Sequence, residues 1–310
     1  MTIQNLLKTA PVTALLLVSF IGLFVMQVLT GVDINNPSTE ALLKWGANAL
    51  PFTMGDQPWR LVSSAFLHIG LMHLLFNGFA MYFFGQVAEP MFGSAKFLAL
   101  FLLAAIGGNL LNNHVTWLGI LDGTGQPGLS AGASGGIMGI GAALLIAALF
   151  KISVNGMVLN LKSLVFIMGI NLVYGFAVPG IDNAGHIGGA ITGLVIALGF
   201  AVAHRHMAAK QQAIPSIPIY QNLYQNRYPT EQTDDIDAPI GSHTDSDMPM
   251  DSTIHPYHVR TVSAQANISA KPAVIWRLLP WIVMLVITLG FVWWWQDIHW
   301  QIIEILKTIE

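Results

Sequence analysis

Seven long apolar runs divide the chain: 11–31, 61–84, 95–113, 134–150, 157–177, 184–203 and 277–296. A helix needs about 20 predominantly apolar residues to cross a bilayer, within a range of roughly 17–25, and each run fits. Six crowd together before residue 205, and the seventh follows a long polar segment. The first run, PVTALLLVSFIGLFVMQVLTG, is longer than the roughly 7–15 apolar residues of a signal peptide and ends without a small-residue cleavage pattern. It reads as a span. The pattern predicts an all-α polytopic membrane protein, with a six-helix core over 1–206 and one C-terminal transmembrane helix within 273–310. The closing stretch DIHWQIIEILKTIE reads equally as a continuation of the last span or as a short helix on the outer surface.

Residues 207–272 break the pattern. Pro215, Pro218, Pro229, Pro239, Pro249 and Pro256 punctuate a segment carrying Glu231, Asp234, Asp235, Asp237, Asp245, Asp247 and Asp251. So few aliphatic residues cannot offset the entropy of ordering the chain, and the segment reads as a disordered cytoplasmic linker. Basic residues orient the rest. With a cytoplasmic N-terminus, Lys8, Lys96, Lys151, Lys162 and Arg205 fall on the inner side, and only Lys44, Arg60 and Lys307 fall outside.

Composition agrees: 54% of the 310 residues are hydrophobic and 9% charged, against about 25% charged in a soluble domain. There is no cysteine, which removes disulfides, thiolate metal sites and a cysteine nucleophile. A net charge of −3 without a basic run implies no nucleic-acid partner. The histidines show no metal-ligand spacing, and no cofactor is implied.

Candidate chemistry gathers toward the outer side. In HIGLMHLLFN, residues 68–77, His73 and Asn77 share a helix face and His68 points elsewhere. Polar groups at membrane depth are costly unless they pair or work. GASGG, 132–136, puts Ser134 at the start of the fourth span, where free backbone N–H groups favour an oxyanion. GHIGGAITG, 185–193, puts His186 at the start of the sixth, above a row of small residues, Gly189 and Gly193. The fourth span has its own row, Gly135 and Gly139. Small faces let membrane helices approach closely, which would bring Ser134 and His186 to one depth. Trp59 and Arg60 stand just before the second span. Taken singly, Ser134 reads as a helix cap, His186 as an interior histidine, and His73 with Asn77 as interhelical glue. Together they supply a nucleophile, a base and donors.

In this order and placement the residues resemble the rhomboid intramembrane serine proteases: His68, His73 and Asn77 as HxxxxHxxxN; Gly132, Ser134 and Gly135 as GxSG; His186 with Gly189 and Gly193. Trp59–Arg60 resembles that family's outer-loop motif and Glu89 a structural acidic position. The resemblance covers about 11–206. It implies a Ser134–His186 dyad without an aspartate, and an oxyanion site of the Ser134 N–H, His73 and Asn77. His68 would hold structure. Its partners would be transmembrane protein substrates in the lipid bilayer, cut near the outer leaflet by an acyl-enzyme route. The setting would be a bacterial inner membrane with the active site facing out. Met138 departs from the tyrosine usual four residues after the serine. The loop YGFAVPGID, 174–182, would cap the cavity. A proteolytically weak or inactive client-binding relative is the alternative. A transporter is disfavoured by the absence of inverted repeats and of deep charges.

Overall fold

The computed structural model describes residues 3–126, 128–153, 159–177, 182–212 and 273–309. Residues 1–208 with 272–310 make one compact unit. The second, 209–271, lies almost wholly outside the described residues, as does the expected linker from 213 onward. In chain order the helices are α1 (Ile3–Thr9), α2 (Pro11–Leu29), α3 (Thr39–Trp45), α4 (Leu50–Thr53), α5 (Arg60–Ser63), α6 (Leu71–Phe92), α7 (Ser94–Leu121), α8 (Ser134–Leu149), α9 (Leu161–Ala177), α10 (Asn183–Gln212) and α11 (Val274–Ile309). Two short strands, β1 (Asn48–Ala49) and β2 (Leu129–Ser130), pair antiparallel with Asn48 opposite Ser130. Among the described residues α2, α6, α7, α10 and α11 are long and apolar enough to cross a membrane, and α8 and α9 are shorter apolar helices. The chain is therefore an integral, all-α polytopic membrane protein.

Hydropathy misplaced one span. The second was expected over 61–84, but α6 begins at Leu71. Gly70 turns the chain with φ +92°, and the apolar residues before it belong to α5 and a 3-10 turn, Ser64–Phe66. Leu61, Ala65 and Leu67 are buried inside the protein, so their hydrophobicity reports loop packing and not lipid. Elsewhere the helices outrun the apolar windows. α7 continues to Leu121, α10 to Gln212, past the expected boundary at 206, and α11 to Ile309. The closing stretch is thus a continuation of the last helix.

The core is centred on α6, α7 and α8, with Phe20, Met81, Phe97, Phe101, Ile140 and Leu144 buried among them. One polar device sits in it. α2 starts after Ala10, which cannot cap it, and Pro11 has no N–H to give. Glu89, from the far end of α6, supplies the cap instead. Its carboxylate accepts the Val12 and Thr13 N–H groups at 2.9 and 2.7 Å and the Thr13 hydroxyl at 2.8 Å. The Ser94 hydroxyl donates to it at 2.6 Å. A buried carboxylate so supplied is paired rather than stranded. This is a structural role for Glu89.

α11 lies along α7. Phe291, Trp294, Trp295, Ile302 and Ile305 pack on a cluster of Leu50, Met54, Leu110, Trp117 and Ile298. Polar tips close the seam. The Trp295 indole N–H donates to the Thr53 carbonyl at 2.9 Å, and the Trp117 indole to Gln301 at 2.9 Å. His299 Nδ1 lies 2.6 Å from the Met54 carbonyl.

Candidate active site

α8 and α10 meet backbone to backbone. A Cβ built on Gly189 would overlap the Gly135 carbonyl, and one on Gly193 would overlap the Gly139 carbonyl. A Cβ on Gly135 would stand 3.3 Å from the Gly185 carbonyl oxygen. Both helices therefore start at the same end of the bundle, in register, with backbone on backbone at these glycines. Ser134 precedes Gly135 and His186 follows Gly185, so the two flank the first rung of this contact. A third helix joins it. A Cβ on Gly188 would sit 2.6 Å from the Gly107 carbonyl, and one on Gly108 would sit 2.5 Å from the Gly185 carbonyl.

Ser134 is the first residue of α8. Ala133 occupies the cap position, and among the described residues no side chain caps the helix. The serine is therefore not spent on the bland role open to it, and the first N–H groups of α8 have no side-chain acceptor among the described residues. Gly132, at φ +142°, lets the chain turn tightly into the helix. It also makes room: a Cβ there would lie 2.8 Å from His73 Nε2 and 3.8 Å from Ser134 Oγ. The His73 ring and the serine hydroxyl thus share the space left by the missing side chain. The Ile69 N–H donates to His73 Nδ1 at 3.2 Å. With Nδ1 accepting, the neutral ring carries its proton on Nε2, the nitrogen beside Gly132.

Asn77 is buried, one turn further along α6, and donates to the His73 carbonyl at 3.0 Å. Its second N–H has no partner among the described residues. His68 lies outside α6 and is 1% exposed, with its ring 5.2 Å from that of Phe20 and 5.3 Å from that of His73. It packs behind His73. His186 is buried, and its Nδ1 has no partner among the described residues. No direct hydrogen bond joins Ser134 to His186 among those the described residues form. Met138 is buried one turn below Ser134.

A polar cavity of about 30 Å³ opens beside Ser134, lined by Asn109, Ser130, Gly132, Asp182 and Gly185 among others. That is room for roughly one water molecule. Its far wall was missed in the sequence. Asn109, Asn112 and Asn113 recur at i, i+3 and i+4 on α7, a polar face in an apolar helix that was itself the available signal. Asn109 donates to the Leu61 carbonyl and to Ser64, both at 2.9 Å. Asn113 donates to Asn48 at 2.9 Å, and Asn48 to Ser130 at 3.0 Å. The Gly132 N–H donates to the Ser64 carbonyl at 2.9 Å. These bonds fix the loop that delivers Ser134.

Residues 55–203 match the family model described as Rhomboid domain. The chain is 30% identical to Rhomboid protease AarA of Providencia stuartii over 58% of its own length and 69% of that protein. The chain belongs to the rhomboid family. It is also 38% identical to Rhomboid protease GluP of Bacillus subtilis (strain 168), over 57% of this chain and 33% of that protein. RHOMBOID-like protein 6, mitochondrial, of Arabidopsis thaliana is 34% identical over 52% of this chain and 50% of that protein. The alignment with GluP thus spans a third of that protein and the one with the plant protein half.

In this rhomboid Trp59 and Arg60 brace the loop at the Ser134 end. Arg60 is buried, donating to the Leu43 and Ala47 carbonyls at 2.7 and 3.0 Å and to Gln57 at 2.8 Å. Its guanidinium lies 4.7 Å from the Trp59 ring, whose outer side is exposed. Of the expected cap over 174–182, residues 174–177 belong instead to the end of α9, 178–181 lie outside the described residues, and Asp182 directly precedes α10.

Proposed function

We propose that this rhomboid is an intramembrane serine endopeptidase acting on the transmembrane segments of other membrane proteins. The observation that carries the reading is an uncapped serine at the head of α8, sharing the space over Gly132 with a histidine Nε2–H. Ser134 Oγ attacks the scissile carbonyl carbon while His186 takes its proton. The developing oxyanion meets the Ser134 N–H, His73 Nε2–H and the spare Asn77 N–H. His186 returns the proton to the leaving amine. Water then hydrolyses the ester by the same route. Helical segments hide their carbonyls in hydrogen bonds, so helix-weak segments are the preferred substrates.

The end of the bundle opposite Ser134 carries Lys8, Lys96, Lys151, Lys162 and Arg205. Such a bias supports a cytoplasmic N-terminus and an active site on the outer side, and the similarity to the Bacillus and Providencia proteases is the support for a bacterial inner membrane as the setting. In this reading 1–206 is the catalytic core and 273–310 an accessory helix.

The test is cleavage of a single-span substrate with a glycine-rich outer end in proteoliposomes. The parent cuts it near that end, and Ser134→Ala and His186→Ala lose cleavage by about 10³-fold or more. Equal cleavage by Ser134→Ala would overturn the reading. The lack of a Ser134–His186 hydrogen bond favours a second reading, a weak or inactive client-binding rhomboid. Catalytic hydrogen bonds are often loose before substrate arrives. A parent that binds the substrate uncut would support that second reading.

A further inference from the structure

Asp182 is the residue just before α10 and lines the cavity beside Ser134. Its Oδ1 accepts two hydrogen bonds, from the Gly185 N–H at 2.7 Å and from Asn112 Nδ2 of α7 at 2.8 Å. Its carbonyl accepts the His186 N–H at 3.1 Å. The carboxylate lies flat on Gly185: a Cβ at that position would strike it, with Cγ only 2.7 Å away. One turn before Asn112 on α7 stands Gly108, whose missing side chain leaves room for the Gly185 carbonyl. α7 therefore grips the first turn of α10 at two points one turn apart, through backbone at Gly108 and through a charge-assisted bond at Asp182.

We infer that Asp182, held by Asn112, is a positioning residue that clamps the first turn of α10 to α7 and so keeps His186 at the height of Ser134. The inference rests on the protease reading above. Asp182 is not the third member of a triad. The His186 Nδ1 has no hydrogen-bond partner among the described residues, so the carboxylate makes no hydrogen bond to the ring; its bonds go to the helix start and to α7. The glycine seam sets the register of α8 against α10 at Gly189 and Gly193, but no side chain of the seam ties down the first turn of α10, which begins above them. A helix that must present a base within a few tenths of an ångström then needs a polar stop, and Asp182 with Asn112 supplies it. An aspartate before a helix is ordinarily only a cap, worth stability. The additional bond to another helix is what makes it a stop.

The test uses the full-length protein in proteoliposomes, well below its melting temperature. Asp182→Ala lowers kcat about tenfold to a hundredfold with KM within about twofold, the pattern of a misplaced catalytic group. Asp182→Asn keeps an oxygen acceptor in place and recovers kcat to within about threefold of the parent. Asn112→Ala loses a similar factor to Asp182→Ala, and the double variant is no slower than the worse single one. Hydrogen exchange over 183–188 accelerates in Asp182→Ala and not in Asp182→Asn. A lowered melting temperature with kcat and exchange unchanged would reduce Asp182 to an ordinary cap and overturn the inference. Full additivity with Asn112→Ala would do the same. If the parent neither cleaves nor reacts, the protease reading fails separately. The exchange measurement then decides the clamp: acceleration in Asp182→Ala alone upholds it, and none overturns it.

Discussion

Two helix seams in this rhomboid are built from opposite materials. Over the first turns of α8 and α10 the contact is backbone on backbone, at Gly135, Gly139, Gly185, Gly189 and Gly193. Between α7 and α11 the contact is almost all side chain, with Trp117, Phe291, Trp294 and Trp295 filling the gap. Their indole N–H groups finish on Gln301, His114 and the Thr53 carbonyl. Lipid tails are as apolar as leucine, so neither seam gains a hydrophobic driving force from leaving lipid. Each holds by close packing and hydrogen bonds. What differs is tolerance. A ring can shift by a rotamer and keep most of its contacts, whereas two backbones in contact have one register. On the proposed mechanism the glycine seam carries the residues whose spacing must be right for chemistry. The aromatic seam carries none, and braces the loop at Thr53 and Met54.

The strongest way to break this comparison is Gly189→Leu. The side chain would have to occupy the Gly135 carbonyl, so α8 and α10 separate by ångströms. Cleavage falls about a hundredfold or more, while circular dichroism still reports a helical protein. Gly193→Ala adds one methyl against the Gly139 carbonyl, a turn further from the dyad. It costs about 1–3 kcal/mol of stability and about tenfold in cleavage, measured by thermal melt and substrate kinetics together. Trp295→Ala removes the hydrogen bond to Thr53 and part of the aromatic packing. It costs about 1–2 kcal/mol and leaves kcat per folded molecule within about twofold. The smallest effect belongs to Gln301→Ala, which strands the Trp117 N–H and removes an exposed bond to Asp297. It loses about 0.6 kcal/mol with no change in kcat. A catalytic loss in either α11 variant as large as that of Gly193→Ala would erase the distinction.

The sequence showed much of this unevenly. The glycine rows and the end of the bundle where they start were legible, because spacing of four on a helix fixes a face whatever surrounds it. Ser134 at a helix head was legible for the same reason. The second span was misplaced because hydropathy cannot tell Leu61, Ala65 and Leu67, buried by their own loop, from residues facing lipid. The bonds of Asp182 were not legible: they run to the Gly185 N–H and to Asn112, and a partner on another helix leaves no trace in local spacing. The Glu89 cap is similar: α2 begins with Ala10 and Pro11, and the carboxylate that completes it arrives 77 residues later in the chain.

The most direct test of the central claim, that the glycine seam presents an activated Ser134 to His186, is fluorophosphonate labelling of the purified protein. Mass spectrometry would locate the adduct in the parent, Ser134→Ala, His186→Ala and Gly189→Leu. One adduct is expected on Ser134 in the parent and little or none in the three variants, each folded. Labelling of Gly189→Leu or His186→Ala at the parental rate would contradict it.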